Sequence, residues 1–382
     1  MSESYDVVVV GLGALGSATA WQLARRGVRV LGLERFELGH RRGASHDTSR
    51  ILRHSYHTPE YVRLTQDAYA DWAELSAEHG QDLVTVVGGL DLFPPDPAIP
   101  LIDYTDSLTE VGIDFELLDV AAIGSRWPQF VLPEGTVGLY QERAAIVPAG
   151  PGTAAMQQLA RGHGADLRDH AEVVAVTGRG VTLADGTTYS CGSVVLCADA
   201  WTNHLLAPLG HELPLTVTLE QATYFAPPTP DDFTADRMPL WIWMDEPSFY
   251  GFPCYGEPTV KAAQDCGGPA VDPDARGTDA DDAMLALLAD HVARMLPGAG
   301  RPVRSLRCQY TLTPDRDFVM DRVSDHPSLV VGLGAGHGFK FAPTFGRLLA
   351  DLATGERLSV SPTFALDRPA LTDPAYTAHW LV

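Results

Sequence analysis

A basic segment that carries three histidines stands out near the start of an otherwise acidic chain. Residues 41–57 read RRGASHDTSRILRHSYH, whereas the 382-residue sequence has 49 Asp and Glu against 27 Lys and Arg. In a helical turn, Arg50 and Arg53 would occupy neighbouring positions on one face, because they are three residues apart. Two guanidinium groups facing a cleft would hold a carboxylate. The alternative is a solvated basic loop paired with surface acids.

Two later segments also carry side chains that could do chemistry. Residues 334–349 read GAGHGFKFAPTFGRLL, and Lys340 lies there between two phenylalanines as a second candidate ligand for a carboxylate. The start of the helix that follows would present partial positive charge to a bound anion. Residues 306–321 read LRCQYTLTPDRDFVMD and contain Cys308 beside Arg307. A lone cysteine of this kind is more often a buried structural thiol than a reactive one.

These side chains need a scaffold, and the first 34 residues predict one. Residues 5–16 read YDVVVVGLGALG, a β-branched strand that ends in Gly11, Gly13 and Gly16 and leads into a helical pattern. A second strand ends in Glu34, where a carboxylate would bind the ribose of adenosine. This order predicts a βαβ unit with a dinucleotide pyrophosphate at the helix start. The motif leaves NAD and FAD open, and a glycine turn in another α/β protein is the alternative.

A strand, a glycine-rich turn and a helix recur near the C-terminus, at residues 329–353, and the middle of the chain is β-rich. We therefore predict an α/β protein with a Rossmann-like FAD-binding domain assembled from separated segments, residues 1–80, 141–214 and 306–382. A β-sheet-based (α+β) substrate-binding domain, residues 81–140 and 215–305, is inserted between them. The separation of the nucleotide-binding segments along the chain favours FAD over NAD as the cofactor, because a buried flavin ring needs a second set of contacts.

Composition limits the partners. A formal net charge of −22 argues against nucleic acid and against an anionic membrane surface. No apolar run approaches the ~20 residues that span a bilayer. The five scattered cysteines do not form a disulfide or metal-binding pattern, so no metal site is predicted. The sequence enters a strand within five residues without a signal peptide, and we expect a reducing cytoplasm.

Together these stretches resemble the monomeric sarcosine oxidase and N-methyltryptophan oxidase family of flavoproteins. The resemblance covers nearly the whole chain and rests on GLGALG, SHDTSRILRHSY, FYGFP at 249–253, CQYTLTPDRDF and GHGFKFAP. It implies an FAD domain and a substrate domain built on a β-sheet. It also implies a monomer that oxidises the C–N bond of a secondary amino acid, N-methyl or cyclic, to an imine while O2 is reduced to H2O2.

The resemblance implies roles for individual residues. Cys308 resembles the cysteine that forms an 8α-S-cysteinyl bond to FAD, and Lys261 resembles a lysine that assists O2 activation. Arg53 and Lys340 resemble the pair that binds the substrate carboxylate. The remaining implied contacts are His46 and Arg50 beside the flavin ring, Tyr250 and Tyr310 in the substrate pocket, Gly336 as acceptor for the substrate amine, and Val173 near the adenine, with Gly338 a further cofactor contact. Trp241 lies just before FYGFP, where it would either shape the pocket or pack in the core.

One position departs from the family pattern. Some members carry a histidine four positions after the lysine that corresponds to Lys261, whereas this chain has Asp265. An acidic group facing the pocket would repel a carboxylate or attract an amine. The natural substrate therefore stays open. So do three other functions: an oxidase or dehydrogenase of a cyclic imino acid with another acceptor, an FAD-binding subunit without turnover, and an NAD-dependent dehydrogenase.

Overall fold

The computed structural model describes residues 4–381, so the outer ends of the expected FAD-binding domain, residues 1–3 and 382, lie outside the described residues. The strands in chain order are β1 (Ser4–Val10), β2 (Val30–Leu33), β3 (Arg50–Leu52), β4 (Thr85–Val86), β5 (Gly89–Phe93), β6 (Glu116–Leu118), β7 (Val137–Gln141), β8 (Ala145–Val147), β9 (Asp166–Arg168), β10 (Val173–Thr177), β11 (Gly180–Leu183), β12 (Thr188–Leu196), β13 (Thr216–Ala226), β14 (Leu240–Trp243), β15 (Phe249–Phe252), β16 (Val260–Gln264), β17 (Arg301–Leu312), β18 (Val319–Val323) and β19 (His326–Leu333). The α-helices are α1 (Ala14–Arg25), α2 (Pro59–His79), α3 (Leu101–Val111), α4 (Val120–Arg126), α5 (Ala149–Gly162), α6 (Thr202–Leu206), α7 (Asp282–Met295), α8 (Ala342–Thr354) and α9 (Pro369–Thr372).

The first sheet joins the two ends of the chain. β1 lies between β12 and β2 and runs parallel to both, while β19 runs parallel to β12 and pairs with β18. The inner halves of β1, β12 and β19 are runs of buried valine and leucine, as expected for parallel strands covered on both faces. The predicted α/β fold with a nucleotide domain built from distant segments is therefore confirmed.

The second sheet is mainly antiparallel, in the order β17-β13-β16-β15-β14-β5-β7-β6, with β14 and β5 paired in parallel. It brings together the later strands that carry Tyr250, Lys261, Cys308 and Tyr310. β17 runs across the boundary expected at residues 305/306 and pairs with β13 along nearly its whole length. That boundary therefore falls inside a strand of the second sheet.

A small third sheet, β3-β8-β4, holds the basic segment. Arg50 begins β3 in extended conformation, opposite Val147 of β8, so the helical turn considered for Arg50 and Arg53 does not form. Pairing with β8 supplies the backbone hydrogen bonds that a helix would otherwise provide. None of the helices within residues 4–381 has the length and apolar character needed to cross a bilayer.

Candidate active site

A cavity of about 950 Å³ runs along the carboxyl ends of the parallel strands and continues to the face of the second sheet. This volume lies at the upper end of the roughly 300–1,000 Å³ typical of small-molecule and cofactor sites. One end is lined by the residues that follow β1, β2, β12 and β19, which is the crevice where open α/β sheets bind ligands. The other end is lined by Tyr250, Lys261, Cys308 and Tyr310. The cavity thus joins the nucleotide motif to residues far along the chain.

The glycine turn after β1 is determined by steric contacts. Gly11 has a φ of +88°, and a Cβ there would lie 2.4 Å from the carbonyl oxygen of Cys197. A Cβ on Gly16 would lie 1.8 Å from the carbonyl oxygen of Gly11, so α1 could not approach the turn. Gly13 is the N-cap of α1 and lines the cavity. The three glycines therefore aim the start of α1 into the cavity, where its partial positive charge favours an anion.

The expected ribose and adenine contacts lie at the same end. Glu34 lines the cavity, and its carboxylate accepts hydrogen bonds from the backbone N–H groups of Leu12 (2.8 Å) and Phe36 (3.1 Å). Burial acts to raise the pKa of Glu34, but the hydrogen bonds from His40 and the backbone outweigh it and lower that pKa. Glu34 is therefore an anion at neutral pH. Val173, at the start of β10, also lines this end.

Buried polar atoms in the cavity wall fit a long polar ligand. The Nε2 atom of His46 and the Oε1 atom of Gln309 have no hydrogen-bonding partner within residues 4–381. Asp199 lies in the same wall, where burial raises its pKa to about 6. Unpaired buried polar groups are costly, so a ligand that supplies donors and acceptors would stabilise this wall. FAD, with a pyrophosphate, a ribityl chain and a polar ring edge, is a group of that kind.

Arg50, His46 and Cys308 line the same cavity. The guanidinium of Arg50 donates to the carbonyl oxygens of Ser49 (2.8 Å), Ala44 (2.8 Å) and His46 (3.0 Å). Burial and the nearby Arg50 lower the pKa of His46 to about 4, so its ring is neutral at pH 7. Burial raises the pKa of the Cys308 thiol, and the charges of Arg50 and Lys261 partly oppose this. Cys308 is therefore a resting thiol with two cations close enough to favour its thiolate.

Lys261 is held by an ion pair that the sequence analysis did not identify. Its Nζ atom lies 2.6 Å from Oδ2 of Asp47 and also donates to the carbonyl oxygen of Ser49 at 3.1 Å. Asp47 accepts a further hydrogen bond from the hydroxyl of Tyr224. Burial lowers the pKa of Lys261 to about 8, although Asp47 acts to raise it. The lysine thus lies at the cavity wall with its charge balanced by a carboxylate.

Arg53 is also paired, at a buried position. Its Nη1 atom contacts the carboxylate of Asp91 on β5, and that carboxylate accepts a second hydrogen bond from Ser55. Burial acts to raise the pKa of Asp91, while the charge of Arg53 acts to lower it. The guanidinium lies 5.6 Å from the ring centre of Tyr56. Arg53 therefore lies beside Tyr56 with one of its nitrogen atoms bound to Asp91, and it is not among the residues that line the cavity.

Lys340 approaches the same tyrosine from another element. Its Nζ atom donates to the hydroxyl of Tyr56 at 2.8 Å and to the carbonyl oxygen of His337 at 3.1 Å, and it lies 5.4 Å from the Tyr56 ring centre. Burial, followed by the charges of Arg53 and Arg316, lowers the pKa of Lys340 well below its ordinary value. The structure thus brings the two expected carboxylate ligands to one aromatic ring.

The expected pocket aromatics separate into two groups. The hydroxyls of Tyr250 and Tyr310 lie 3.5 Å apart in the cavity wall, and Gly336 and Gly338 line the cavity beside them. Trp241 does not line the cavity: it is fully buried, and its ring packs over Gly251 and near His291 of α7, in the core on the other face of the second sheet. Of the two places expected for Trp241, the structure thus shows the one in the core.

Asp265 has a partner that the sequence analysis missed. Its carboxylate lies 2.8 Å from Nη2 of Arg316, whose other terminal nitrogen donates to the carbonyl oxygen of Trp380. Arg316, Asp47 and His337 all occur inside the motifs that carried the resemblance, but no role was assigned to them. The ion pair of Asp91 could have been expected from the sequence, because Asp91 is a single acidic residue between Leu90 and Leu92 in a predicted strand. A carboxylate at such a position requires a buried partner.

Comparisons with known proteins agree with this geometry. A model of the FAD dependent oxidoreductase family matches residues 6–352. The monomeric sarcosine oxidase of Streptomyces avermitilis is 36% identical over 369 residues, which cover 92% of this chain and 94% of that protein. The N-methyl-L-tryptophan oxidase of Salmonella arizonae is 29% identical over 375 residues, 95% of this chain and 97% of that protein. The solved structure of NikD, described as an unusual amino acid oxidase essential for nikkomycin biosynthesis, has a TM-score of 0.84 and 30% identity, covering 99% of this chain and 100% of that one.

These matches extend over nearly the whole chain, from the glycine turn after β1 to α8 and beyond. They confirm the resemblance drawn from the motifs, and they decide the cofactor in favour of FAD. The chain therefore belongs to the FAD dependent oxidoreductases and, within them, to the family of the monomeric sarcosine oxidases and N-methyltryptophan oxidases.

Proposed function

We propose that this enzyme oxidises the C–N bond of a secondary amino acid, N-methyl or cyclic, to an imine, with O2 reduced to H2O2. The observation that carries the proposal is the approach of Lys340 and Arg53 to Tyr56, next to a cofactor cavity that ends at Tyr250 and Tyr310. When bound, FAD supplies the redox chemistry by accepting two electrons from the substrate and passing them to O2. We further propose that the enzyme acts as a monomer in the cytoplasm.

The residues of this chain bind and orient the substrate. Lys340 and Arg53 hold its carboxylate, and the carbonyl oxygen of Gly336 accepts a hydrogen bond from its amine. Tyr250 and Tyr310 enclose the carbon that is oxidised and exclude water from it. Holding the reactants in place in this way lowers the barrier by removing translational and rotational freedom in advance. Lys261 provides a buried cation for the reduction of O2.

A screen for peroxide release tests the substrate class. The purified holoenzyme is assayed with sarcosine, N-methyltryptophan, proline and pipecolate, and with glycine as the primary-amine control. Peroxide from at least one secondary amino acid, and much less from glycine, is the expected result. Peroxide from none of them would refute the proposed oxidase reaction, and if the flavin is not reduced either, an FAD-binding subunit without turnover remains as the function.

A Lys340→Met variant tests the carboxylate site. We expect its KM for the best substrate to rise by about 10²-fold, because a charge-assisted hydrogen bond is lost in a dry site. Lys261→Met is the matched control: it removes a buried lysine at the other side of the cavity and should change the reaction with O2 and leave KM for the amino acid nearly unchanged. Equal KM values for the Lys340→Met variant and the wild type would contradict the assignment.

We also propose that FAD is attached covalently through Cys308. Support comes from the position of its thiol in the cavity wall and from the two nearby cations, Arg50 and Lys261. Acid precipitation of the wild type should leave the yellow colour in the pellet, whereas Cys308→Ser should release it into the supernatant. Free flavin from the wild type would contradict a covalent bond.

The second candidate is a biosynthetic oxidase or dehydrogenase that acts on a cyclic imino acid. The likeness over the whole chain to NikD, an amino acid oxidase described as essential for nikkomycin biosynthesis, favours the biosynthetic role, and the cyclic substrate is part of the proposal. The screen separates the two candidates: a strong preference for pipecolate or proline over sarcosine supports the cyclic substrate. Reduction of the flavin without peroxide release would indicate an acceptor other than O2.

A further inference from the structure

A chain of hydrogen bonds behind the carboxylate site has donors and acceptors that can be assigned from geometry. Nε2 of His337 lies 3.0 Å from the carbonyl oxygen of Arg316. A carbonyl can only accept, so Nε2 carries the proton and Nδ1 is an acceptor. Nδ1 lies 3.2 Å from the hydroxyl of Tyr56, which must therefore donate to it. Burial keeps the pKa of His337 well below its ordinary value, so the ring is neutral and this tautomer holds.

The same logic determines what Lys340 can do. Because the Tyr56 proton is used by His337, the Tyr56 oxygen accepts the hydrogen bond from Nζ of Lys340 at 2.8 Å. The second bond of Lys340 is donated to the carbonyl oxygen of His337 at 3.1 Å. A neutral amine has two N–H groups and one lone pair. In a neutral Lys340 both N–H groups are therefore satisfied, and the lone pair of Nζ has no hydrogen-bonding partner within residues 4–381.

The charges that face Lys340 also oppose a proton on it. Arg50 lies at the start of β3, Arg53 follows the end of that strand, and Arg316 lies in the segment after β17. Asp265, at the end of β16, is the one facing carboxylate among the main influences, and it is paired with Arg316. Tyr56 and His337 contact Lys340 directly and are both neutral, because burial raises the pKa of Tyr56 and lowers that of His337. No carboxylate within residues 4–381 forms an ion pair with Lys340, in contrast to Lys261 and Arg53.

We propose that Lys340 rests as a neutral amine and takes up the proton that the ammonium group of the substrate loses on binding. The inference rests on the proposed function. The N–H bond of the substrate ammonium breaks and an N–H bond to Nζ of Lys340 forms, so the total charge of the site is unchanged. The substrate becomes a neutral amine, the form with a lone pair that can be oxidised to an imine. Lys340 becomes a cation beside the substrate carboxylate.

A carboxylate without an amine gives a direct test, because it must draw this proton from solvent. Methoxyacetate is the oxygen analogue of sarcosine and serves as the probe, with tetrahydrofuran-2-carboxylate as the analogue of proline. Binding to the holoenzyme is followed by the flavin absorbance, and proton uptake by an indicator dye at pH 7.5 in weak buffer. We expect about one proton taken up per site, and by linkage a Kd that rises about tenfold per pH unit between pH 7 and 8.

Two variants identify the acceptor. Lys340→Arg places a permanent cation at the site, so methoxyacetate should bind with no proton uptake and with a Kd that does not change over this pH range. Lys261→Met removes the other buried lysine with a lowered pKa and should keep the uptake of about one proton. If the Lys340→Arg protein fails to fold, the pH dependence of Kd in the wild type and in Lys261→Met still shows whether probe binding takes up a proton at a group other than Lys261.

Three results would overturn the inference: binding of methoxyacetate to the wild type without proton uptake, loss of the uptake in Lys261→Met, or turnover of a secondary amino acid by an enzyme that binds neither probe. A failure of the proposed function looks different, because no amino acid in the peroxide screen then reduces the flavin. Peroxide release together with a pH-independent Kd for methoxyacetate would refute the role of Lys340 alone.

Discussion

Removing one partner of the Arg53–Asp91 pair should destabilise the protein by an amount that depends on which partner remains. Both side chains are buried, and Asp91 also accepts a hydrogen bond from Ser55. Leaving one member of a buried pair uncompensated costs about 3–5 kcal/mol. Asp91→Asn leaves the guanidinium of Arg53 buried without its ionic partner, and this group cannot lose its proton at any ordinary pH. Arg53→Met leaves the carboxyl group of Asp91 buried without its ionic partner, but this group can become neutral.

The size of the effect on melting temperature follows from chain length. An unfolding entropy of about 2.1 cal/mol/K per residue gives roughly 0.8 kcal/mol/K for a chain of this size. A loss of about 3–5 kcal/mol therefore lowers Tm by about 4–6 °C. We expect this decrease for Asp91→Asn at all pH values between 5 and 8, because Arg53 without its partner does not titrate in this range.

The Arg53→Met variant should instead depend on pH. Without Arg53, burial raises the pKa of Asp91 further, so the folded protein holds a proton that the unfolded chain releases above a pH of about 3.9. Stability then falls by about 1.4 kcal/mol for each unit that the pH rises towards the folded pKa. Relative to the wild type, Tm should be about 3 °C lower at pH 7 than at pH 5.

Thermal unfolding of the holoenzymes, followed by tryptophan and flavin fluorescence at pH 5, 6, 7 and 8, measures both trends. The double variant Arg53→Met/Asp91→Leu is the control, because it removes both charges and should recover most of the lost stability. A double variant as unstable as Asp91→Asn would show that shape, and not charge, governs the site. Parallel pH trends for the two single variants would refute the electrostatic reasoning.

Three further predictions concern other parts of the site. Lys261→Met should slow reoxidation by O2 about 10²–10³-fold while anaerobic flavin reduction is retained, as measured by stopped-flow absorbance, and equal reoxidation rates would exclude the oxygen role. Gly11→Ala should yield protein without bound flavin, because its Cβ would lie 2.4 Å from the carbonyl oxygen of Cys197, and normal flavin content would contradict this. Trp241→Phe should lower Tm, because it leaves a cavity in the core between the second sheet and α7, and it should leave KM unchanged. An altered KM would indicate that Trp241 contacts the substrate.

The nucleotide end of the site could be predicted from sequence because its causes are local. Gly11 is favoured by its φ of +88°, Gly16 is required by its contact with Gly11 in the same turn, and Glu34 follows at the end of the next strand. By contrast, β17 was not recognised as a whole. Its first four residues, Arg301–Arg304, are exposed, and the strand is identified only by its pairing with β13. α3 was hidden by the prolines that precede it, the last of which is its N-cap.

Which face of a strand meets the cavity is another property that cannot be read from the sequence. Trp241 pairs with Gly251, and Tyr250 pairs with Ile242, so the two aromatic side chains lie on opposite faces of the second sheet. Alternation along β14 and β15 was visible in the sequence, but which face meets the cavity depends on how α7 packs. The ion partners were hidden for a similar reason. Asp47 and Lys261 are separated by most of the chain, and only the packing of the third sheet against the second brings them together.

The charges around the site lead to a rule for which ligands it accepts. Lys261, Arg53 and Arg316 each have a carboxylate partner, whereas Lys340 forms none of the ion pairs found within residues 4–381. If Lys340 rests as a neutral amine, a simple carboxylic acid binds only by recruiting a proton from solvent, and its affinity falls about tenfold per unit of rising pH. An amino acid zwitterion carries the required proton on its own nitrogen, so its affinity does not fall in this way until the ammonium itself titrates. At alkaline pH the site would therefore prefer amino acids to their amine-free analogues without any direct recognition of the amine.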